Sequence, residues 1–215
     1  MRDAQGEVRY FCGLDLGQAA DHTALAVLER KALFPGAPRP VYSLRHLERF
    51  ELGTSYPAIV RGVSSLLNRP PLAQSWTALA VDKTGVGAAI TDLLRPAFPA
   101  MATVMITGGK EATAEFGGFR VPKADLVSVL QVLLQGRRLK IAAGLEAAEV
   151  LVRELSTFRA KVNIATGNES FEAWRSRDHD DMVLAVALAA WLGEYSAAQE
   201  TGTDEVMSYT TYYTK

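Results

Sequence analysis

The sequence predicts an α/β domain. It has a mixed β-sheet, three of whose strands form an antiparallel meander while the others run parallel, and helices on both faces. Three observations carry this. The composition, 48% hydrophobic and 22% charged over 215 residues, is that of a globular chain long enough to bury a core without staples. Three strand-like apolar runs come first, and strand-like and helix-like segments alternate after them. The helix-like segments carry apolar stripes at 3–4 spacing, and the last is apolar almost all round, the mark of a deeply packed helix.

The elements follow in order. Tyr10 to Leu16 is a short apolar strand ended by Gly17, and Thr23 to Leu28 is a second. The Pro/Gly-rich stretch Phe34 to Pro40 is a loop, and Val41 to Leu52 alternates loosely as a third strand. Thr54 caps a helix to Asn68, with Ile59, Val63, Leu66 and Leu67 on one face, stopped by Pro70 and Pro71. Trp76 to Val81 is a strand running into Asp82. Thr84 opens a helix to Leu94, and Met101 to Ile106 is a fifth strand. Pro122 sits at the first turn of a helix striped by Leu126, Val129, Leu130, Leu133 and Leu134. Leu145, Ala148, Leu151, Leu155 and Phe158 mark another helix. Lys161 to Trp174 suggests a hairpin around Thr-Gly-Asn, and Asp178 to Ala198 is the final helix. Residues 1–198 are expected to form one domain and 199–215 a flexible polar tail.

Several classes are excluded. One cysteine, Cys12, permits neither a disulfide framework nor a thiolate zinc cluster and reads as a small buried hydrophobe. No apolar run reaches the ~18 residues of a membrane span, and the polar N-terminus is not a signal peptide. A reduced, cytoplasmic setting without a membrane is expected. Net charge is −1, but residues 1–177 hold 22 bases against 17 acids while 178–215 hold 1 against 7. A near-neutral total thus hides a basic body.

Three acidic positions need explaining. Asp15 ends one apolar strand, Asp82 ends another, and Asp178, Asp180 and Asp181 begin the buried last helix. Carboxylates gathered at one end of a sheet repel by about 4 kcal/mol per pair at ~4 Å and an effective dielectric of 20. Protonation or a cation must relieve that, and magnesium or manganese favours such oxygen ligands. Each acid also has an ordinary reading. The helix-start acids suit an N-cap and the helix dipole, and Asp82 before Lys83-Thr84-Gly85 suits a turn. Asp15 between Leu14 and Leu16 has the fewest local uses. His22, His46 and His179 show no ligand spacing, although His179 adjoins the acid pair. Gly108-Gly109-Lys110 is not a phosphate loop, because Glu111 stands where Ser or Thr is required and the upstream glycine is missing.

A strand-end Asp in GLDLG is shared with actin-like ATPases, but their second glycine-rich loop is missing here. The ordered set matches the ribonuclease H-like nucleases, with acids on the first strand, the fourth strand and the last helix. Within that superfamily the chain resembles the C-terminal nuclease domain of phage large terminases. The resemblance rests on GLDLGQAADHTALAVL, AVDKTGVGAAITDLL, VPKADLVSVLQVLLQGRRLKI, LVRELSTF and above all DHDDMVLAVALAAW, which together span nearly the whole chain. It implies a ribonuclease H-like fold and a two-metal endonuclease that cuts double-stranded DNA concatemers during viral genome packaging. Asp15, Asp82 and Asp180 then match the metal-binding acids, with Asp181 joining a second ion or orienting ligands. The choice among Asp178, Asp180 and Asp181 stays open. The cofactor would be Mg2+ or Mn2+, two ions in all. The partners would be double-stranded DNA, a packaging ATPase domain, which these 215 residues lack, and a portal protein, in the cytoplasm of an infected cell. Lys110, Arg120, Lys123, Arg137, Arg138, Lys140, Arg159, Lys161, Arg175 and Arg177 are the candidate phosphate contacts. Two alternatives stand beside this reading. One is a Holliday-junction resolvase using the same acids. The other is a non-catalytic packaging module.

Overall fold

The computed structural model describes residues 8–17, 21–31, 39–85, 87–109, 111–142, 144–164 and 180–201. Strands β1 (Val8–Asp15), β2 (Ala24–Lys31) and β3 (Tyr42–Arg49) form the expected antiparallel meander. Strands β4 (Trp76–Asp82) and β5 (Ala102–Thr107) extend the sheet in parallel on the other side of β1. Three short strands complete it: β6 (Thr113–Glu115), β7 (Gly118–Pro122) and β8 (Leu139–Ile141). The order across the eight-stranded sheet is β6-β7-β5-β4-β1-β2-β3-β8.

Alternation along the strands divides the core in two, because successive side chains leave opposite faces of a strand. Phe11, Ala26, Leu28, Tyr42 and Leu44 face helices α3 (Lys123–Gln135), α4 (Ala148–Ile164) and α5 (Asp181–Thr201), meeting Leu130, Leu151, Val186 and Leu188. Cys12, Leu14, Leu25, Val27 and Val81 face α1 (Tyr56–Leu67) and α2 (Gly87–Leu94), meeting Ile59, Val63, Ile90 and Leu94. Strands β1 and β2 are therefore buried on both sides, which is why they read as continuous apolar runs.

Helix α5 is the central strut, with Val183, Ala185 through Ala190 and Trp191 all buried. A Cβ built on Gly13 of β1 would overlap the carbonyl oxygen of Ala185 and lie 2.7 Å from the Ala189 nitrogen, so helix and strand touch backbone to backbone. At its far end α5 is tied by ions. The fully buried Arg30 donates from Nη1 to Gly193 O (3.0 Å) and from Nη2 to Glu200 (2.5 Å). Arg9 reaches the same Glu200 carboxylate at 2.9 Å. Among the described residues, α5 is the one helix long and apolar enough to cross a membrane, contrary to the expectation that no segment would be, and 83% of that stretch is buried within the protein.

Some boundaries differ from expectation. Thr54 does not cap α1. Its hydroxyl donates to Glu51 O (2.6 Å), Ser55 holds the cap position without a side-chain bond, and proline at the first positions presets the helix. Thr84 does not open α2, which starts at Gly87, because its hydroxyl is engaged by Asp82. Residues 161–164 continue α4 as helix and do not begin a hairpin, and the rest of that segment lies outside the described residues. Helix α5 runs to Thr201, three residues into the expected tail, where Glu200 has the arginines to hold it.

Candidate metal centre

Register and alternation bring the acids together. Leu14 pairs with Val81 in the parallel β1–β4 ladder, so the next step sets Asp15 beside Asp82. Each acid lies two positions beyond a residue that faces α5, Gly13 on one strand and Ala80 on the other, so both carboxylates point to that face. Asp180 and Asp181 arrive there at the start of α5, where the Asp180 carbonyl accepts the Leu184 N–H at 2.9 Å.

Asp15 is buried at 7% exposure. Its carboxyl is pushed well above the usual range, first by burial and then by the charges of Asp82, Asp181 and Asp180, while Lys123 pulls the other way. Four carboxylates and one ammonium thus share a single field, at residues separated by as much as 166 positions in sequence. Asp82 also shapes its own turn. Its Oδ1 accepts the Thr84 N–H (2.7 Å) and hydroxyl (2.5 Å), and that hydroxyl accepts the Ile106 N–H at 2.8 Å. The turn reading of Asp82 is satisfied by this geometry, which also leaves its carboxylate in the field of Asp15.

The two helix-start acids each have a cation. Lys123 Nζ lies 3.4 Å from Asp180 Oδ2. Arg49, the last residue of β3, lies 3.6 Å from Asp181 Oδ2 and ion-pairs with Glu154 of α4. Burial pushes the Glu154 carboxyl up to about 7, against the pull of Arg49 and with help from the Asp181 charge. Arg49 and Glu154 were not among the residues expected from sequence. The available signal was weak: an acid next to Leu155 in LVRELSTF and an arginine closing a strand.

The expected phosphate contacts separate. Lys123 belongs to the carboxylate cluster itself. Arg120 is half-exposed, 3.6 Å from Glu115. Arg137, Arg138 and Lys140 adjoin β8, which pairs with the start of β3, whereas Arg49 at the other end of β3 is level with Asp15 through Ala24. Six residues of strand, roughly 20 Å, therefore divide these three from the acids. Arg138 is moreover buried, paired with Glu194 at 2.5 Å and donating from Nε to Pro40 O at 2.9 Å. Lys110, Arg175, Arg177, His179 and Asp178 lie outside the described residues, as do the side chains of Arg159 and Lys161. His22 Nδ1 meets Phe50 O at 2.9 Å and His46 meets Glu48 at 3.2 Å.

Among the described residues, no three His, Cys, Asp or Glu side chains stand arranged around a common metal position. The donor chemistry of the cluster nevertheless fits a hard divalent cation, since every donor is a carboxylate oxygen. Lys123 and Arg49 hold the two α5 acids, and an ion would have to exchange with them.

No protein-family model matches the sequence, and no curated protein matches it. Solved structures do. The human cytomegalovirus terminase nuclease domain, Mn soaked, aligns with a TM-score of 0.51 at 16% identity, covering 88% of this chain and 86% of that one. The inhibitor-bound form of that domain gives 0.51 over 86% and 82%. The HK97 bacteriophage large terminase gives 0.49 at 15% identity over 87% of this chain and 40% of its own. The fold is ribonuclease H-like. It is the fold shared with the human cytomegalovirus terminase nuclease domain.

Proposed function

We propose that this chain is a metal-dependent endonuclease that cuts double-stranded DNA concatemers during viral genome packaging. The observation that carries the reading is Asp15, a strand-end carboxylate buried in the field of Asp82, Asp181 and Asp180. A fold needs no such concentration of like charge, but a divalent cation does. Asp15, Asp82, Asp180 and Asp181 would hold Mg2+ or Mn2+. Bound ions of this kind supply Lewis acidity at a phosphodiester, activating water and stabilising the leaving 3′ oxygen.

The chain's own groups do the rest. The Thr84 bonds fix the Asp82 carboxylate on its turn. Lys123 places an ammonium beside Asp180, where an incoming phosphate would meet positive charge. The half-exposed Arg120, with Lys83 reaching the same Glu115 at 3.7 Å, extends that charge along the rim and would track the DNA backbone. With no recognition helix among the described residues, little sequence preference is expected. In packaging, an ATPase domain and a portal would hold the DNA, in the cytoplasm of the infected cell.

The test is nicking of supercoiled plasmid in Mn2+ or Mg2+. The parent should nick it and EDTA should stop it. Asp15→Asn and Asp181→Ala should be inactive with unchanged circular dichroism. Full activity in Asp15→Asn would refute the assigned site. A strong preference for four-way junctions over linear duplex would move the assignment from terminase to resolvase.

A further inference from the structure

The cluster carries an arginine that a carboxylate metal site does not need. Arg49 stands in one cross-strand row with Asp15, since Asp15 pairs with Ala24 and Ala24 with Arg49. Two strand spacings, about 10 Å, separate their backbones. The guanidinium reaches Glu154 on α4 and Asp181 on α5, and its Nε is buried with no hydrogen-bond partner among the described residues. One cation therefore serves two carboxylates from different helices with only part of its donor fork. The Glu154 side chain is itself largely buried, so the arginine is held on α4 as well as on α5.

From this we infer that Arg49 is the resident counter-ion of Asp181, and that Glu154 retains it there. Asp181 can serve the guanidinium or a divalent cation, and the two compete. Glu154 gives Arg49 a second partner and so lowers its hold on Asp181. The pair thus sets how tightly the site takes metal, as positioning residues that touch neither the ion nor DNA. This rests on the metal-site reading above and adds the residues that tune it. A merely structural ion pair would stabilise the protein without opposing metal.

The experiment is titration of the full chain with Mn2+ by calorimetry, alongside melting curves in EDTA and in saturating Mn2+. Arg49→Gln should lower the metal-free melting temperature. It should also tighten Mn2+ binding by roughly tenfold, the effect of removing one partly buried competing charge, and enlarge the shift that Mn2+ produces. Arg49→Lys should stay near the parent, and Arg137→Gln, at the opposite end of the sheet, should equal it. Should Arg49→Gln not fold, Glu154→Gln decides the question. It leaves Arg49 to Asp181 alone and should weaken Mn2+ binding several-fold. If Arg49→Gln binds Mn2+ equally or more weakly, or Glu154→Gln binds it equally or more tightly, the inference is overturned while the metal site stands. A parent protein that binds no Mn2+ overturns both.

Discussion

Replacing Asp125 with asparagine should remove one component of the pH dependence of stability between 4 and 7, leaving those of Asp15 and Glu154 in place. Asp125 lies in the first turn of α3 at 1% exposure, and neither carboxylate oxygen has a hydrogen-bond partner among the described residues. Burial pushes its carboxyl from the ordinary 3.8 up to about 6, even though a helix N-terminus favours the anion. The folded protein thus keeps a proton that the unfolded chain has released. Stability from this group is fully present below pH 4, falls as pH rises to about 6, and is then lower by a constant amount. A pKa displaced that far corresponds to about 3 kcal/mol. Asparagine has nearly the same shape and does not titrate, though its buried amide still costs about 1–3 kcal/mol if unpaired. The stability difference between variant and parent should therefore swing by about 3 kcal/mol in the variant's favour between pH 4 and pH 7.5. In a domain of this size that is roughly 6–12 °C of melting temperature. Thermal melts of both proteins at half-unit pH steps, taken as a difference, cancel the titrations they share. A difference flat to within about 1 kcal/mol would refute the reasoning.

Asp15→Asn should raise the metal-free melting temperature at neutral pH while abolishing plasmid nicking, because it replaces a carboxyl that burial and three neighbouring charges make costly to ionise; a drop in stability would count against the repulsion. Arg138→Ala should cost about 3 kcal/mol in urea unfolding, since it strands Glu194 in the core, yet leave DNA affinity in EDTA unchanged by fluorescence anisotropy. Lys123→Ala should do the reverse, weakening DNA binding with little loss of stability. Gly13→Ala should cost about 3 kcal/mol or fail to fold, because the added methyl meets backbone that cannot give way.

Much of the fold was legible because it follows from periodicity. The doubly buried strands β1, β2 and β4 read as apolar runs, and α5 announced its depth by having no polar side. The short strands β6, β7 and β8 were not legible. Two have only three residues, β6 is exposed throughout, and their pairing comes from neighbours distant in sequence. The Asp15–Asp82–Asp180/Asp181 grouping was legible from acids placed where apolar segments end. Arg49 and Glu154 were not, since a lone arginine at a strand end and a lone glutamate on a helix have many ordinary uses. The basic residues misled most at Arg138, because sequence cannot distinguish a guanidinium bound for the surface from one sealed against a buried glutamate.

The contact at Gly13 has a consequence for how accurately such a centre can be kept. Asp15 is two residues from that glycine on the strand, and Asp181 is four residues from Ala185 on the helix. Backbone against backbone leaves no intervening side chain whose rotamers could absorb a change. The spacing between the two acids is therefore inherited from main-chain geometry, and drift elsewhere in the core need not detune it. The same contact makes the glycine and the alanines opposite it as hard to replace as the acids, although none of them has any chemistry to perform.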